Sequence, residues 1–278
     1  MRLVRFGEKG SERPGLFRDG RIVDLRKHFP DIPDIGPEFF GQGWIEKISR
    51  LDDPGEERKV RLANPVARPE KIICLGKNYT EHAREGNMSI PDKPLLFAKT
   101  ANTLSGPADP IVLPLFSGEV DFEVELCFVI GRGGKRIAEK DAFSQIAGFC
   151  VMNDVSGRQA QFSDKQWFRG KSFDGFAPMG PWLTTTDEAG EVSSLRLRTW
   201  VNGKLMQDGN TRDLIFGIAE LVSFISQDIT LAPGDIVSTG TPAGVGYFRE
   251  PKVLLAAGDV VRCEVEGLGA LENRVEGP

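Results

Sequence analysis

The run from Glu119 to Gly131, EVDFEVELCFVIG, constrains the fold more than any other segment of the chain. Val120, Phe122, Val124, Leu126, Phe128 and Ile130 fill every second place, which is the period of a β-strand with one buried side. Such a strand requires a sheet with an apolar core against that side. The same alternation sends Glu123 and Glu125 to the opposite face together. At a rise of roughly 3.3 Å per residue their α-carbons stand about 6 to 7 Å apart, so both carboxylates can converge on one ion. Two such charges about 4 Å apart repel by about 4 kcal/mol at an effective dielectric of about 20, and a divalent cation between them turns that cost into attraction. Taken alone, the pair reads first as a solvated strand face, because paired surface glutamates are common.

Strand patterns dominate the rest of the chain. Residues 1–64 read as a small β-rich unit, with LVRFG, PGLFRDG and RIVDL separated by Gly, Asp and Pro. The two prolines of ANPVARPEK mark a boundary, and the main body runs over residues 70–278 from the apolar run KIICLG onward. Helical patterns are few. TRDLIFGIAELVSFISQDI places Leu214, Ile218, Leu221, Val222 and Ile225 on one face with Thr211 as its cap, and YTEHAREGN is a second candidate. Leu231–Val237 and Leu255–Val261 share L-x-x-G-D-[IV]-V, which predicts two similar turns leading into strands. Many strands with two or three inserted helices favour a mixed, mostly β sandwich or roll over a parallel α/β sheet.

A hard-cation site needs a third oxygen ligand, and Asp154 is the candidate, since it ends the apolar strand GFCVMN. If a helix begins there, Asp154, Arg158 and Gln161 share a face at i, i+4 and i+7; Gly157 makes an irregular turn equally compatible, and by itself Asp154 reads as an N-cap. Three carboxylates without a nearby His or Cys favour Mg²⁺, Mn²⁺ or Ca²⁺ over zinc and leave coordination positions open. His82 precedes Glu85 by three residues, so a helix would set the imidazole beside a carboxylate that fixes its tautomer, although an exposed surface pair has the same spacing. Lys171, among the aromatics and glycines of WFRGKSFDGF, can hold an ammonium near developing negative charge or merely snorkel over apolar surface. The loop STGTPAGVG permits close backbone approach and offers the hydroxyl of Thr241, but lacks the Gly-Lys-Ser/Thr ending of a P-loop.

Other classes are disfavoured. A net charge of -5 with interspersed Lys and Arg gives no basic stripe for nucleic acid. Cys74, Cys127, Cys150 and Cys263 are scattered, with no C-x-x-C spacing, so neither a zinc site nor a disulfide framework is expected and a reducing cytoplasm fits. No apolar run approaches the roughly 20 residues needed to span a bilayer, and the charged start MRLVRFGEKG carries no targeting pattern.

The segments LGKNYTEHAREGN, FAKTANTLSGPADPIVLP, VDFEVELCFVIG, AGFCVMNDVSGRQAQ, FRGKSFDGFAPMGPWL and LAPGDIVSTGTPAGVG, in this order from about residue 70, resemble the fumarylacetoacetate hydrolase family. The N-terminal piece and the run through GPWLTTTDE look most like bacterial members acting on diketo-deoxy sugar acids. The resemblance implies a β-sandwich roll, a homodimer, and Mg²⁺ or Mn²⁺ held by Glu123, Glu125 and Asp154. It also implies a lid helix carrying the catalytic pair His82 and Glu85, a catalytic Lys171, and substrate contacts from Arg158, Gln161 and Thr241. Gln159 departs from the family, where an acidic residue is common. The expected reaction is hydrolytic cleavage of a carbon–carbon bond in a small 2,4-dioxo acid of the acylpyruvate type with release of pyruvate. Decarboxylation of oxaloacetate-like acids, isomerisation of unsaturated dioxo acids, and a catalytically silent metal-binding scaffold are the alternatives.

Overall fold

The computed structural model describes residues 1–87 and 89–278. Its architecture is mixed and mostly β, as expected. The large sheet runs, in spatial order, Glu56–Glu57, Arg21–Asp24, Arg13–Arg18, Arg2–Phe6, Ala177–Thr185, Ile146–Asn153, Val124–Ile130, Ile236–Ser238, Ile72–Gly76 and Leu95–Lys99. The strands of residues 1–64 are thus continuous with those of the main body, through the antiparallel pairing of Arg2 with Thr184 and Leu3 with Leu183. A second sheet of five strands, with Arg196–Val201, Val260–Val265 and Gly269–Glu276 at its centre, packs across the first.

The Val124–Ile130 strand lies near the middle of the large sheet and is buried on both faces. Val124, Leu126, Phe128 and Ile130 pack toward the second sheet, against Leu197, Val261, Leu271 and the helix Ile218–Asp228. Cys127 and Val129 face a separate core with Cys150, Met152, Met179 and the N-terminal residues Phe39, Phe40 and Ile48. The polar side of the alternation therefore does not meet solvent: Glu123 is 4% and Glu125 1% exposed. This corrects the solvated-face reading and makes each carboxylate a group that must find partners.

The strand is also not continuous. Val120–Asp121 pairs with Ser156–Gly157, and Phe122 and Glu123 form a break before Val124. The expected helix at Thr211 is shorter than its pattern. Thr211–Asp213 is a single 3₁₀ turn, and the helix proper spans Ile218–Asp228 behind Gly217. Thr211 does not cap it; its hydroxyl donates to Val192 O and accepts from Leu195 N. Leu214 instead bridges to Tyr79, and Ile215 N donates to Asn78 O, so tertiary pairing overrides the local periodicity. The two L-x-x-G-D turns agree with expectation. Asp235 accepts from Ala232 N and Asp259 from Ala256 N, both at the mouth of a strand.

Candidate metal and proton-transfer site

The antiparallel register Val124 with Asn153 sets the break residue Glu123 beside Asp154, whose N–H donates to Glu123 O at 2.9 Å. One ligand atom from each of Glu123, Glu125 and Asp154 lies within 4.8 Å of the others. Asp154 neither starts nor caps a helix: the following helix is Arg158–Ser163, with Gly157 at its N-cap position, so the irregular-turn alternative holds. Both Asp154 oxygens go to buried lysines, Oδ1 to Lys99 and Oδ2 to Lys171, at 2.6 Å each. Lys171 also donates to Glu123 Oε2 at 2.7 Å and is 2% exposed, which excludes the snorkelling alternative.

Arg158 occupies the other side of Glu123. Its Nη2 donates to Glu123 Oε1 and to Asp121 Oδ2, both at 2.7 Å, its Nε to Asp121 Oδ2 at 3.0 Å, and its Nη1 to Gln161 Oε1 at 3.0 Å. Four carboxylates, of Asp121, Glu123, Glu125 and Asp154, thus meet three cations, of Lys99, Lys171 and Arg158. Among the described residues Glu125 has no cation in hydrogen-bonding contact. Its Oε2 accepts from the Ser238 hydroxyl and from Gly240 N. Burial, then Asp154 and Glu123, push the Glu125 carboxyl up to about 8. Burial opposes ionisation of Glu123 as well, but Lys171 and Arg158 outweigh it and hold that carboxyl well below its ordinary range. The reciprocal holds for Lys171: burial lowers its pKa, Asp154 and Glu123 raise it, and the net movement is upward.

This donor set fits a hard divalent cation. Its oxygens are preorganised, one carboxylate lacks a charged partner, and the Lys171 ammonium bridging Glu123 and Asp154 marks where positive charge is stabilised.

His82 sits on the short helix Thr80–Glu85, lines the same cavity as Glu123 and Glu125, and is 7% exposed. Its Nδ1 pairs with Glu85 Oε1 at 2.8 Å, while Glu85 Oε2 accepts from Gly244 N at 2.8 Å. The pair is therefore no surface decoration. With Nδ1 committed, Nε2 is the nitrogen available to a substrate. Gln161 and Thr241 line the cavity too, but the Thr241 hydroxyl donates to Val124 O and accepts from Gln207 Nε2. Gln159 keeps a structural contact in place of an acidic side chain, its Oε1 accepting from Gly118 N at 2.8 Å. Phe97, Phe162, Trp167 and Phe248 complete the walls, and the free space inside is about 40 Å³. Clefts of about 800 and 870 Å³ elsewhere contain none of these residues.

The Ser238–Gly246 loop carries more than its glycines promise. Gly240, Gly244 and Gly246 each donate a backbone N–H to a different carboxylate, those of Glu125, Glu85 and Asp121. Gly240 and Gly244 hold φ of 95° and 103°, which side chains rarely tolerate. Asp121 and Lys99 are the functional-site residues that the sequence reading misses. Asp121 extends the Glu123 and Glu125 alternation back by one step, so a signal existed; Lys99 ends the apolar run LLFAK and offers almost none.

Comparison with known proteins agrees with this geometry. Residues 71–276 match the family model for the fumarylacetoacetate (FAA) hydrolase C-terminal domain. Oxaloacetate tautomerase fahd2, mitochondrial, of Xenopus laevis is 42% identical over 99% of this chain and 90% of its own length. Fumarylacetoacetate hydrolase from the psychrophile Exiguobacterium antarcticum superposes with a TM-score of 0.84 at 33% identity, covering all of both chains. Maleylpyruvate hydrolase from Sphingobium sp. SYK-6, solved with manganese (II) and pyruvate, gives 0.80 at 32% identity over 100% of this chain and 99% of its own. With a family model spanning most of its length and full-length relatives sharing its fold, this chain belongs to the fumarylacetoacetate hydrolase family of enzymes.

Proposed function

We propose that the protein interconverts the keto and enol forms of a small 2-oxo acid of the oxaloacetate class, in a reaction that depends on a divalent metal. The observation that carries this reading is a buried imidazole, held at Nδ1 by Glu85, in the same 40 Å³ cavity as Glu123 and Glu125, with Asp154 clustered behind them. Glu123, Glu125 and Asp154 would hold the ion. When bound, it would supply Lewis-acid stabilisation of negative charge developing on the 2-oxo acid. His82 Nε2 removes a proton from C3 of the keto form, and Glu85 stabilises the imidazolium that results. Electron density moves to the 2-oxygen, where the Lys171 ammonium offsets the developing charge. Return of that proton from the imidazolium to the oxygen gives the enol and the neutral imidazole, and the reverse sequence regenerates the ketone. The free donors of Gln161 Nε2 and Arg158 Nη1 suit a substrate carboxylate. The restricted cavity, and a full-length relative named as an oxaloacetate tautomerase, support a compact four-carbon acid over a diketo-deoxy sugar acid.

Hydrolysis of a 2,4-dioxo acid to pyruvate is the second reading, favoured by the manganese and pyruvate complex of the related maleylpyruvate hydrolase. There His82 would withdraw a proton from water instead of carbon. The two are separated by offering metal-loaded protein enol-oxaloacetate, followed by loss of its ultraviolet absorbance, and a panel of acylpyruvates with enzymatic pyruvate detection. Faster ketonisation without pyruvate release supports the first reading. Pyruvate release from an acylpyruvate with no effect on oxaloacetate would replace it with the second.

A further inference from the structure

Asp121 is fully buried and accepts from every side. Oδ1 takes Phe122 N at 2.9 Å and Gly246 N at 2.8 Å; Oδ2 takes Tyr247 N at 3.0 Å together with Nε and Nη2 of Arg158. Its charge is therefore shared between two bodies: the guanidinium that contacts Glu123 and Gln161, and the backbone of the loop that carries Gly244 and Phe248. A few residues back, that loop donates Gly244 N to Glu85, the carboxylate that orients His82. Arg249 stiffens the loop by donating to Gly244 O and Met206 O.

Counting donors shows what this does to Arg158. A guanidinium has five N–H bonds in a fixed fork, and four are committed: two to Asp121, one to Glu123 and one to Gln161. The remaining N–H is on Nη1, next to the Gln161 amide, whose oxygen is already occupied and whose NH₂ is free to donate. Without Asp121 the fork loses the acceptor that fixes its plane, and the loop amides lose their anion.

We propose that Asp121 is a positioning residue that locks Arg158 with one N–H directed at the substrate carboxylate and ties that carboxylate clamp to the loop that sets the His82–Glu85 pair. The proposal rests on the metal-dependent 2-oxo acid reading above. It predicts that carboxylate recognition and proton transfer are mechanically linked through residues 244–247, although neither Gly246 nor Tyr247 need touch the substrate.

The test uses oxalate, a planar analogue of the enolate form, as the probe. Metal-free wild type and Asp121→Asn are titrated with Mn²⁺, followed by electron paramagnetic resonance of the free ion; the Mn²⁺-loaded proteins are then titrated with oxalate by calorimetry. Asparagine keeps the size but presents NH₂ to groups that are themselves donors. Mn²⁺ affinity is expected to stay within about threefold, while oxalate binding weakens on the order of 10- to 100-fold, the worth of one or two charge-assisted hydrogen bonds. In an Arg158→Met background the same Asp121→Asn change should have little further effect on oxalate, because the two residues act as one unit. Equal oxalate affinity in wild type and Asp121→Asn overturns the proposal and leaves the 2-oxo acid reading standing. Failure of metal-loaded wild type to bind oxalate removes that reading and the proposal with it. A measurement on wild type guards against a variant that does not fold: oxalate should slow hydrogen exchange at the amides of Gly244, Gly246 and Tyr247. Unchanged exchange there would overturn the link.

Discussion

Metal binding should be strongly pH-dependent below about pH 8, because one of the three carboxylates must first lose a proton. In the metal-free protein, burial, Asp154 and Glu123 raise the Glu125 carboxyl to about 8. At about pH 6 the ion must displace that proton against about 2 pH units, which is about 2.7 kcal/mol or about 100-fold in affinity. Affinity should therefore rise about tenfold per pH unit between about 6 and 8 and level off above. One proton should be released per ion at the acid end. The same shift fixes the sign for stability. Between the ordinary 4.5 and about 8, the folded protein retains a proton that the unfolded chain has lost. Stability of the metal-free protein therefore falls as pH rises through that window, and the gain in Tm on adding metal grows. Glu123 has the opposite shift, but its contribution is lost only as pH falls below the ordinary carboxylate range, outside this window. Calorimetric titration with Mn²⁺ in two buffers of different ionisation enthalpy reads both affinity and proton count. Flat affinity from about pH 6 to 8, or no proton release, would refute the reasoning. Glu125→Gln should lose both the tight binding and its pH dependence.

Further outcomes follow from other parts of the structure. His82→Ala should slow ketonisation of enol-oxaloacetate about 100- to 10,000-fold while leaving Mn²⁺ affinity nearly unchanged; survival of more than a tenth of the rate would take the imidazole out of the chemistry. Leu126→Ala, at a fully buried position between the two sheets, should cost about 2 to 5 kcal/mol in denaturant unfolding, and a loss under about 1 kcal/mol would contradict the packing. Gly246→Ala places a β-carbon 1.8 Å from Val253 O and 2.7 Å from Asp121 Oδ1. It should destabilise by about 3 kcal/mol or more and weaken oxalate binding, and wild-type thermal stability would argue against the close packing of the loop.

What the sequence makes legible here is what local geometry determines. Strand alternation puts Glu123 and Glu125 together, and a three-residue helical spacing puts His82 beside Glu85, as the structure has them. Asp154 is legible as a residue and not as a geometry. Its place beside Glu123 comes from antiparallel register across 30 residues of chain, and a local reading assigns it to a helix start that lies four residues later. Lys99 reaches Asp154 from 55 residues away, out of a strand whose sequence is otherwise apolar, and no local pattern announces it. The two-sided burial of the glutamate strand was hidden for a related reason. Cys127 and Val129 break the polar side of the alternation, but only the N-terminal residues packed over that face, Phe39, Phe40 and Ile48 among them, account for them. The helix overextended at Thr211 shows the converse, a good periodic pattern yielding to the Tyr79–Leu214 bridge.

Three carboxylates, those of Glu125, Glu85 and Asp121, take their aim from peptide groups of one short loop, those at 240, 244 and 246. Main-chain donors do not change when side chains do. The aromatic walls lean on the charged groups themselves, Phe97 5.0 Å from the Lys171 ammonium and Phe248 5.9 Å from the Arg158 guanidinium. A one-residue insertion between Ser238 and Gly246 should therefore displace the partners of Glu125, Glu85 and Asp121 together, whereas a change at one wall perturbs only the cation it covers.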